Sequence, residues 1–143
     1  IVQGKGERQD LDQLERLAWE VKNGSLCNLG KTAPNPVLTT LQFFRNEYEE
    51  HIRHGKCRAK VCPALIAYYI VPDKCARGCD VCVGSCPTEA IWTNSRRVKI
   101  IEQEKCVKCD SCRVLCPTEY EAVDKISPIR DLPECEIRPL EAD

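Results

Sequence analysis

Eight cysteines fall into two runs, Cys75, Cys79, Cys82, Cys86 and Cys106, Cys109, Cys112, Cys116, each closed by a proline at Pro87 or Pro117. The second run is spaced C-x2-C-x2-C-x3-C-P, and the first carries one extra residue between its first two cysteines. Three thiolates on a tight loop can wrap three corners of an iron–sulfur cubane, while backbone N–H groups of the loop face the sulfurs and stabilise their charge. At this spacing the fourth cysteine leaves its own loop and ligates the other cluster. The runs therefore predict one [4Fe–4S] cluster on Cys75, Cys79, Cys82 and Cys116, and a second on Cys106, Cys109, Cys112 and Cys86. Four-cysteine zinc ribbons also use C-x2-C pairs, but they combine two doublets. Here each run has three close cysteines and a Cys-Pro, which favours iron and single-electron chemistry.

The other cysteines are less decisive. Cys57 and Cys62 form C-x4-C just after a helix end that carries His51 and His54. His51 shares that helix's apolar stripe, so two thiolates and an imidazole could supply three of the four ligands of tetrahedral zinc. The same three residues are equally compatible with a buried histidine bonded to backbone and two idle thiols. Cys27 stands alone, and by chemistry a lone cysteine is a small buried apolar residue. Cys135, in a proline-punctuated tail, reads as a free thiol with no assigned role. Lys99, Lys105 and Lys108 flank the runs and read as solvated surface rather than as groups that tune a cluster or dock an acidic partner.

The elements that must position these residues are short. A linker over 1–9 precedes a helix capped by Asp10, with Gln13 three residues on, an apolar face of Leu11, Leu14, Leu17, Ala18 and Val21, and Gly24 as a left-handed C-terminal cap. A small-residue turn around Cys27 leads to a second helix with Asn35 as cap and Pro36 at its first position. Its stripe is Val37, Leu41, Phe44 and Tyr48, and Gly55 ends it. Strands follow at 67–71, 91–93, 98–101 and 122–126, with Asn94 to Arg97 as a hairpin turn. Lys74-Cys75 matches Lys105-Cys106, and Cys86-Pro87-Thr88-Glu89 matches Cys116-Pro117-Thr118-Glu119, which makes the second half an internal repeat. The insertion lies among Ala76, Arg77 and Gly78. The tail from Pro128 reads as extended.

Twelve cysteines in 143 residues would suit a disulfide scaffold on composition alone. Their clustering at metal-ligand spacing, with no leader segment in view, points instead to a reducing, cytoplasmic setting. Twenty-one basic against 22 acidic residues imply no nucleic-acid partner. The longest apolar run, 64–71, is strand-sized rather than membrane-spanning. The chain has no methionine and begins at Ile1, and it reads as a piece of a longer polypeptide.

From Ser25-Leu26-Cys27-Asn28-Leu29-Gly30-Lys31-Thr32-Ala33-Pro34-Asn35-Pro36-Val37 on through Phe43-Phe44-Arg45-Asn46-Glu47-Tyr48-Glu49-Glu50-His51-Ile52, the sequence resembles the C-terminal part of the NADH-binding, FMN-containing flavoprotein subunit of respiratory complex I. Within that family it is most similar to the beta subunits of electron-bifurcating, NAD-dependent iron hydrogenases and related formate dehydrogenases, which append a two-cluster ferredoxin domain. The resemblance spans roughly residues 10–127. It implies that Cys27 is the fourth ligand of a further [4Fe–4S] cluster, with three ligands from an upstream C-x2-C-x2-C motif. It also favours zinc at His51, Cys57 and Cys62, again with an upstream fourth ligand, and it places the FMN and NAD(H) sites upstream. The expected fold is α+β. A helical iron–sulfur segment (1–56) and a metal-binding junction (57–66) precede a bacterial-type two-[4Fe–4S] ferredoxin-like domain with pseudo-twofold repeat (67–127) and a tail (128–143). The expected function is an electron relay without a catalytic site of its own, working with other subunits of a redox complex or a soluble ferredoxin. A structural zinc docking module and a free-standing ferredoxin carrier are the alternatives.

Overall fold

The computed structural model describes residues 1–94 and 97–133. These divide into two compact units, Ile1–Leu65 and the part that begins at Ile66. Together they make a mixed fold of helices and small sheets.

The first unit is helical. Helix α1 spans Arg8–Gly24, helix α2 Asn28–Thr32 and helix α3 Asn35–His54. The start of α1 differs from the sequence expectation by three residues. Glu7 is its cap, and Asp10 supplies the reciprocal half of a capping box by accepting the Glu7 N–H at 2.8 Å. Gly24 is the last residue of α1 and not a left-handed cap. The turn is closed at Ser25, whose N–H and hydroxyl both donate to the Val21 carbonyl, at 3.1 and 2.7 Å. The segment after Cys27, expected as a turn, is one helical stretch with Cys27 as its cap. Asn35 does not cap α3, because its side-chain carbonyl accepts from Lys22 Nζ at 3.0 Å; Pro34 takes the cap position. Gly55 closes α3 in the left-handed conformation (φ 57°), as the sequence suggested.

Leu11, Ala18 and Leu41 are buried where α1 meets α3. Arg45 of α3 reaches Asp12 and Glu15 of α1, both at 2.8 Å. The rest of the expected apolar stripe is open: Leu14, Leu17, Val21 and Phe44 are all exposed. Phe44 also departs from helical geometry (φ −124°, ψ 19°), so α3 is kinked there.

The second unit contains strands β1 (Ala67–Ile70), β2 (Ile91–Thr93), β3 (Lys99–Ile101) and β4 (Val123–Ile126), and single-turn helices α4 (Val81–Gly84) and α5 (Ser111–Val114). Strand β1 pairs antiparallel with β4, with Ile70 opposite Val123. Strand β2 pairs antiparallel with β3, with Ile91 opposite Ile101. Each half of the repeat thus runs strand, cysteine loop, short helix, strand, and each sheet is built from one strand of each half or from the hairpin between them. The Val71 N–H donates to Ala122 and the Glu102 N–H to Ala90, both at 2.8 Å, so the two halves close their sheets in the same way. The core is Ile66, Tyr68, Ile70, Ile91, Ile101, Ala122 and Val123 together with two cysteines, Cys82 and Cys112. Residues this β-branched and aromatic suit short pleated strands. The tail is not extended at its start, because Ile129–Asp131 forms a 3-10 turn and Leu132 is buried. Cys135 and the rest of the tail lie outside the described residues.

Candidate metal centres

The two halves of the repeat build matching loops. In each, the first cysteine N–H is anchored four residues back, Cys75 to the Val71 carbonyl and Cys106 to the Glu102 carbonyl, both at 3.1 Å. The residue before the second cysteine is left-handed in both, Gly78 (φ 88°) and Lys108 (φ 59°). The Cys-Pro ends match as well. The Ala90 N–H donates to Cys86 Sγ and the Ala122 N–H to Cys116 Sγ, each at 3.3 Å, although the second half has two more residues in between. In both, the alanine follows a left-handed glutamate, Glu89 or Glu121.

These loops frame two cavities. One is lined by Cys75, Cys79, Cys82 and Cys116, with Ile70, Val81, Pro117, Tyr120, Ala122 and Val123. The other is lined by Cys86, Cys106, Cys109 and Cys112, with Tyr68, Pro87, Ile91, Ile101 and Val107. Each therefore holds three cysteines of its own loop and the Cys-Pro cysteine of the other half. Four thiols round an apolar cavity, with N–H groups already aimed at two of the sulfurs, fit an iron–sulfur cluster by donor chemistry.

Electrostatics differ within each set. Burial pushes Cys75 and Cys82 up and lifts Cys112 to about 12. Exposed Cys109 is lowered, chiefly by the Ser111 side chain. At Cys86 burial acts upward, but the Ala90 and Thr88 N–H groups outweigh it and the thiol is lowered. The Cys82 charge adds to the upward push on Cys112, and helices α4 and α5 that carry these two cysteines pack together. Deprotonating the buried thiols is thus the costly part of the apo state, which a bound cation would offset.

In the helical unit, His51, Cys57 and Cys62 place one ligand atom each within 4.8 Å of one another. His51 Nδ1 donates to the Glu47 carbonyl at 2.7 Å, which leaves Nε2 as the lone pair, 3.4 Å from Cys62 Sγ. The Val61 N–H donates to Cys57 Sγ at 3.4 Å. Burial acts upward on the Cys57 thiol, but hydrogen bonds led by the Val61 N–H outweigh it and bring it to about 7. A backbone-fixed imidazole beside a thiol that ionises near neutrality fits a zinc-type donor set. His54 is not part of this group. Cys27 is exposed at the start of α2 and belongs to no group of three or more metal-ligating side chains among the described residues; its neighbour Gly30 sits so close to Ser25 that a Cβ there would fall 2.5 Å from the hydroxyl.

Sequence reasoning missed a set of polar residues behind the loops. Lys99, expected as solvated surface, is 2 % exposed and pairs with Asp80 at 3.4 Å. Lys108 is half-buried and donates to Gln103 at 2.6 Å, while Lys105 is exposed as expected. Tyr68 is buried, and burial together with Asp110 holds its hydroxyl well above the ordinary range; Arg113 holds Asp110 at 2.6 Å. The repeat contained the signal: Tyr68 and Lys99 each lie seven residues before the first cysteine of their half, and Asp80 and Asp110 each follow the second.

Among the described residues no helix is long and apolar enough to cross a membrane. Residues 1–51 match the family described as NADH-ubiquinone oxidoreductase-F iron-sulfur binding region. The chain is 50% identical over 91 residues to the NADP-reducing hydrogenase subunit HndC of Solidesulfovibrio fructosivorans, covering 64% of this chain and 18% of that one. It is 44% identical over 57 residues to the F subunit of NADH-quinone oxidoreductase from Streptomyces coelicolor (40% and 13%). It is 46% identical over 44 residues to the beta subunit of the NADP(+)-dependent formate dehydrogenase from Moorella thermoacetica (31% and 6%). The chain thus spans less than a fifth of the length of these relatives. By these matches it is a homologue of the F-type and hydrogenase subunits of NAD(P)-linked oxidoreductases, with an NADH-ubiquinone oxidoreductase-F iron–sulfur binding region at residues 1–51.

Proposed function

We propose that this chain is the electron-relay end of an NADH-linked, FMN-containing flavoprotein subunit, with a two-[4Fe–4S] ferredoxin-like domain as its second unit. The observation that carries this reading is the composition of the two cavities, each with three cysteines of one loop and the Cys-Pro cysteine of the other half. Cys75, Cys79, Cys82 and Cys116 would hold one cluster, and Cys106, Cys109, Cys112 and Cys86 the other. When bound, such clusters accept and release single electrons. The protein's share is to hold the thiolates, direct the Ala90 and Ala122 N–H groups at sulfur, and keep water from the inner faces with Ile70, Tyr68, Ile91 and Ile101. Helices α4 and α5, which carry Cys82 and Cys112, pack together, which supports a relay from one cavity to the other. Exposed Cys109 makes the second cavity the side open to a partner subunit or a soluble ferredoxin.

Cys27 would complete a further [4Fe–4S] cluster with upstream ligands, beside the flavin that takes hydride from NADH. His51, Cys57 and Cys62 would hold zinc with an upstream fourth ligand, as a structural clamp at the end of α3.

Anaerobic purification of the full-length polypeptide, metal analysis and EPR test the reading. Iron, sulfide and reducible signals from both cavities are expected, with zinc at one equivalent. Zinc at every site with no reducible signal would make the chain a structural docking module. Reducible clusters in a protein that purifies alone, without flavin, would make it a free-standing carrier.

A further inference from the structure

Lys99 is the one buried charged residue among the described residues. Taking an ammonium out of water is costly unless other charges compensate it. Its ion-pair partner, Asp80, lies 3.4 Å away and is 71% exposed, so water screens much of that attraction. Asp80 is part of the first cysteine loop, between Cys79 and Cys82. The equivalent place in the other half is filled by a neutral group: Tyr68, 1% exposed, whose hydroxyl is held up by burial and by Asp110, the residue between Cys109 and Cys112. The two halves match in their sheet closure, anchors and N–H to sulfur bonds, yet differ in charge at this buried strand position.

The further compensation would come from an anionic group held by the cysteines of the same loop. A cubane on four thiolates is net anionic and gains one more negative charge on reduction. The geometry points to Lys99 as a fixed cation that stabilises the reduced state of the cluster on Cys75, Cys79, Cys82 and Cys116, and so raises its potential. This deepens the relay reading and rests on it. The step is a one-electron reduction, with the electron arriving from the flavin side and no bond or proton exchanged. Lys99 Nζ is held 3.4 Å from Asp80, the residue between Cys79 and Cys82 that line the first cavity, which places the cation on the loop that carries the anionic ligands. The second loop has its own cations, half-buried Lys108 and exposed Arg113. The effect is therefore read within the first cavity and not as a ranking of the two.

The test is an EPR-monitored redox titration of the anaerobically reconstituted full-length polypeptide, with the first-cavity signal assigned by Cys79→Ser. Lys99→Met should make reduction of that cluster about tenfold less favourable, a fall of about 59 mV for one electron, with the second cluster unmoved. Lys99→Arg should restore the wild-type potential. Should Lys99→Met fail to fold, Asp80→Asn tests the same field at an exposed site and should raise the first potential. Clusters that form while neither Lys99→Met nor Asp80→Asn moves the first potential would make Lys99 a purely structural residue and overturn the inference. Wild-type protein with no reducible cluster would instead overturn the relay reading beneath it.

Discussion

Replacing Cys116 by alanine separates the crossed ligand sets from the simpler arrangement in which each loop keeps its own four cysteines. Cys116 lines the cavity of Cys75, Cys79 and Cys82, although it belongs to the second run. Its sulfur also accepts the Ala122 N–H at 3.3 Å, beside a residue only 2 % exposed. Cys116→Ala therefore acts twice. It removes one ligand of the first cavity, and a cluster lost there takes about four iron atoms per chain with it. It also leaves a buried N–H without an acceptor, at a cost of about 1–3 kcal/mol. Each kcal/mol lowers the melting temperature of a domain of 60–100 residues by roughly 4–8 °C. Cys116→Ser keeps an oxygen acceptor, so it should spare most of the second effect while still impairing the first.

The assay is EPR of the reduced, anaerobically reconstituted full-length polypeptide, run beside Cys79→Ala and Cys109→Ala. With crossed ligands, Cys116→Ala changes the same signal as Cys79→Ala, and the double variant adds nothing. Cys86→Ala likewise reproduces Cys109→Ala. A Cys116→Ala spectrum that matches Cys109→Ala instead would show that each loop keeps its own fourth cysteine, and the cavities would then have been assigned wrongly.

His51→Ala, Cys57→Ala or Cys62→Ala should each lower zinc by one equivalent per chain without altering the EPR signals of the second unit; unchanged zinc by mass spectrometry would show that the three side chains bind none. Ile101→Ala, at a side chain 1% exposed, should cost about 2–5 kcal/mol, and a loss below about 1 kcal/mol would mean that this strand is not core. Arg45→Ala breaks the tie from α3 to Asp12 and Glu15. Its cost should stay within about 1 kcal/mol and shrink as salt is raised, because the charges are largely solvated.

The cysteine spacing made most of the second unit legible. Spacing of that kind reflects a local demand, three sulfurs on one loop, and it survives translation into coordinates because few other conformations satisfy it. Strands β1 to β4 were also readable, each from a few β-branched residues, to within a residue at the ends. The helical unit was read less well. Leu14, Leu17 and Val21 have the periodicity of a buried face, yet they are exposed; periodicity identifies an apolar face but not what covers it. Cap positions shifted because side chains had competing partners. Asp10 serves from inside the helix, and Asn35 is held by Lys22. Lys99 was misread because a lysine in a three-residue strand has no local sign of burial. Only its alignment with Tyr68 across the repeat reveals that the position is internal.

The extra residue in the first loop can be placed on physical grounds. Both loops are pinned at two points: the N–H of the first cysteine, bonded four residues back, and the left-handed residue before the second cysteine. The insertion must lie between these pins, at Ala76 and Arg77, and it leaves both intact. Glycine at the second pin has φ 88°, farther into the left-handed region than the 59° that Lys108 adopts, and nothing lies within 4 Å of where its Cβ would be. Steric crowding is therefore not the reason for glycine there; backbone freedom is. Past the second cysteine the loops do diverge, with Asp110 left-handed (φ 69°) and Asp80 not (φ −114°). The aspartates thus leave their loops from different backbone conformations, and each meets a different buried partner, Tyr68 or Lys99. The one-residue change in loop length and the ammonium that meets the loop's aspartate therefore fall on the same cysteine loop, although Lys99 itself belongs to the second half of the repeat. The cysteine anchors themselves are alike in both halves.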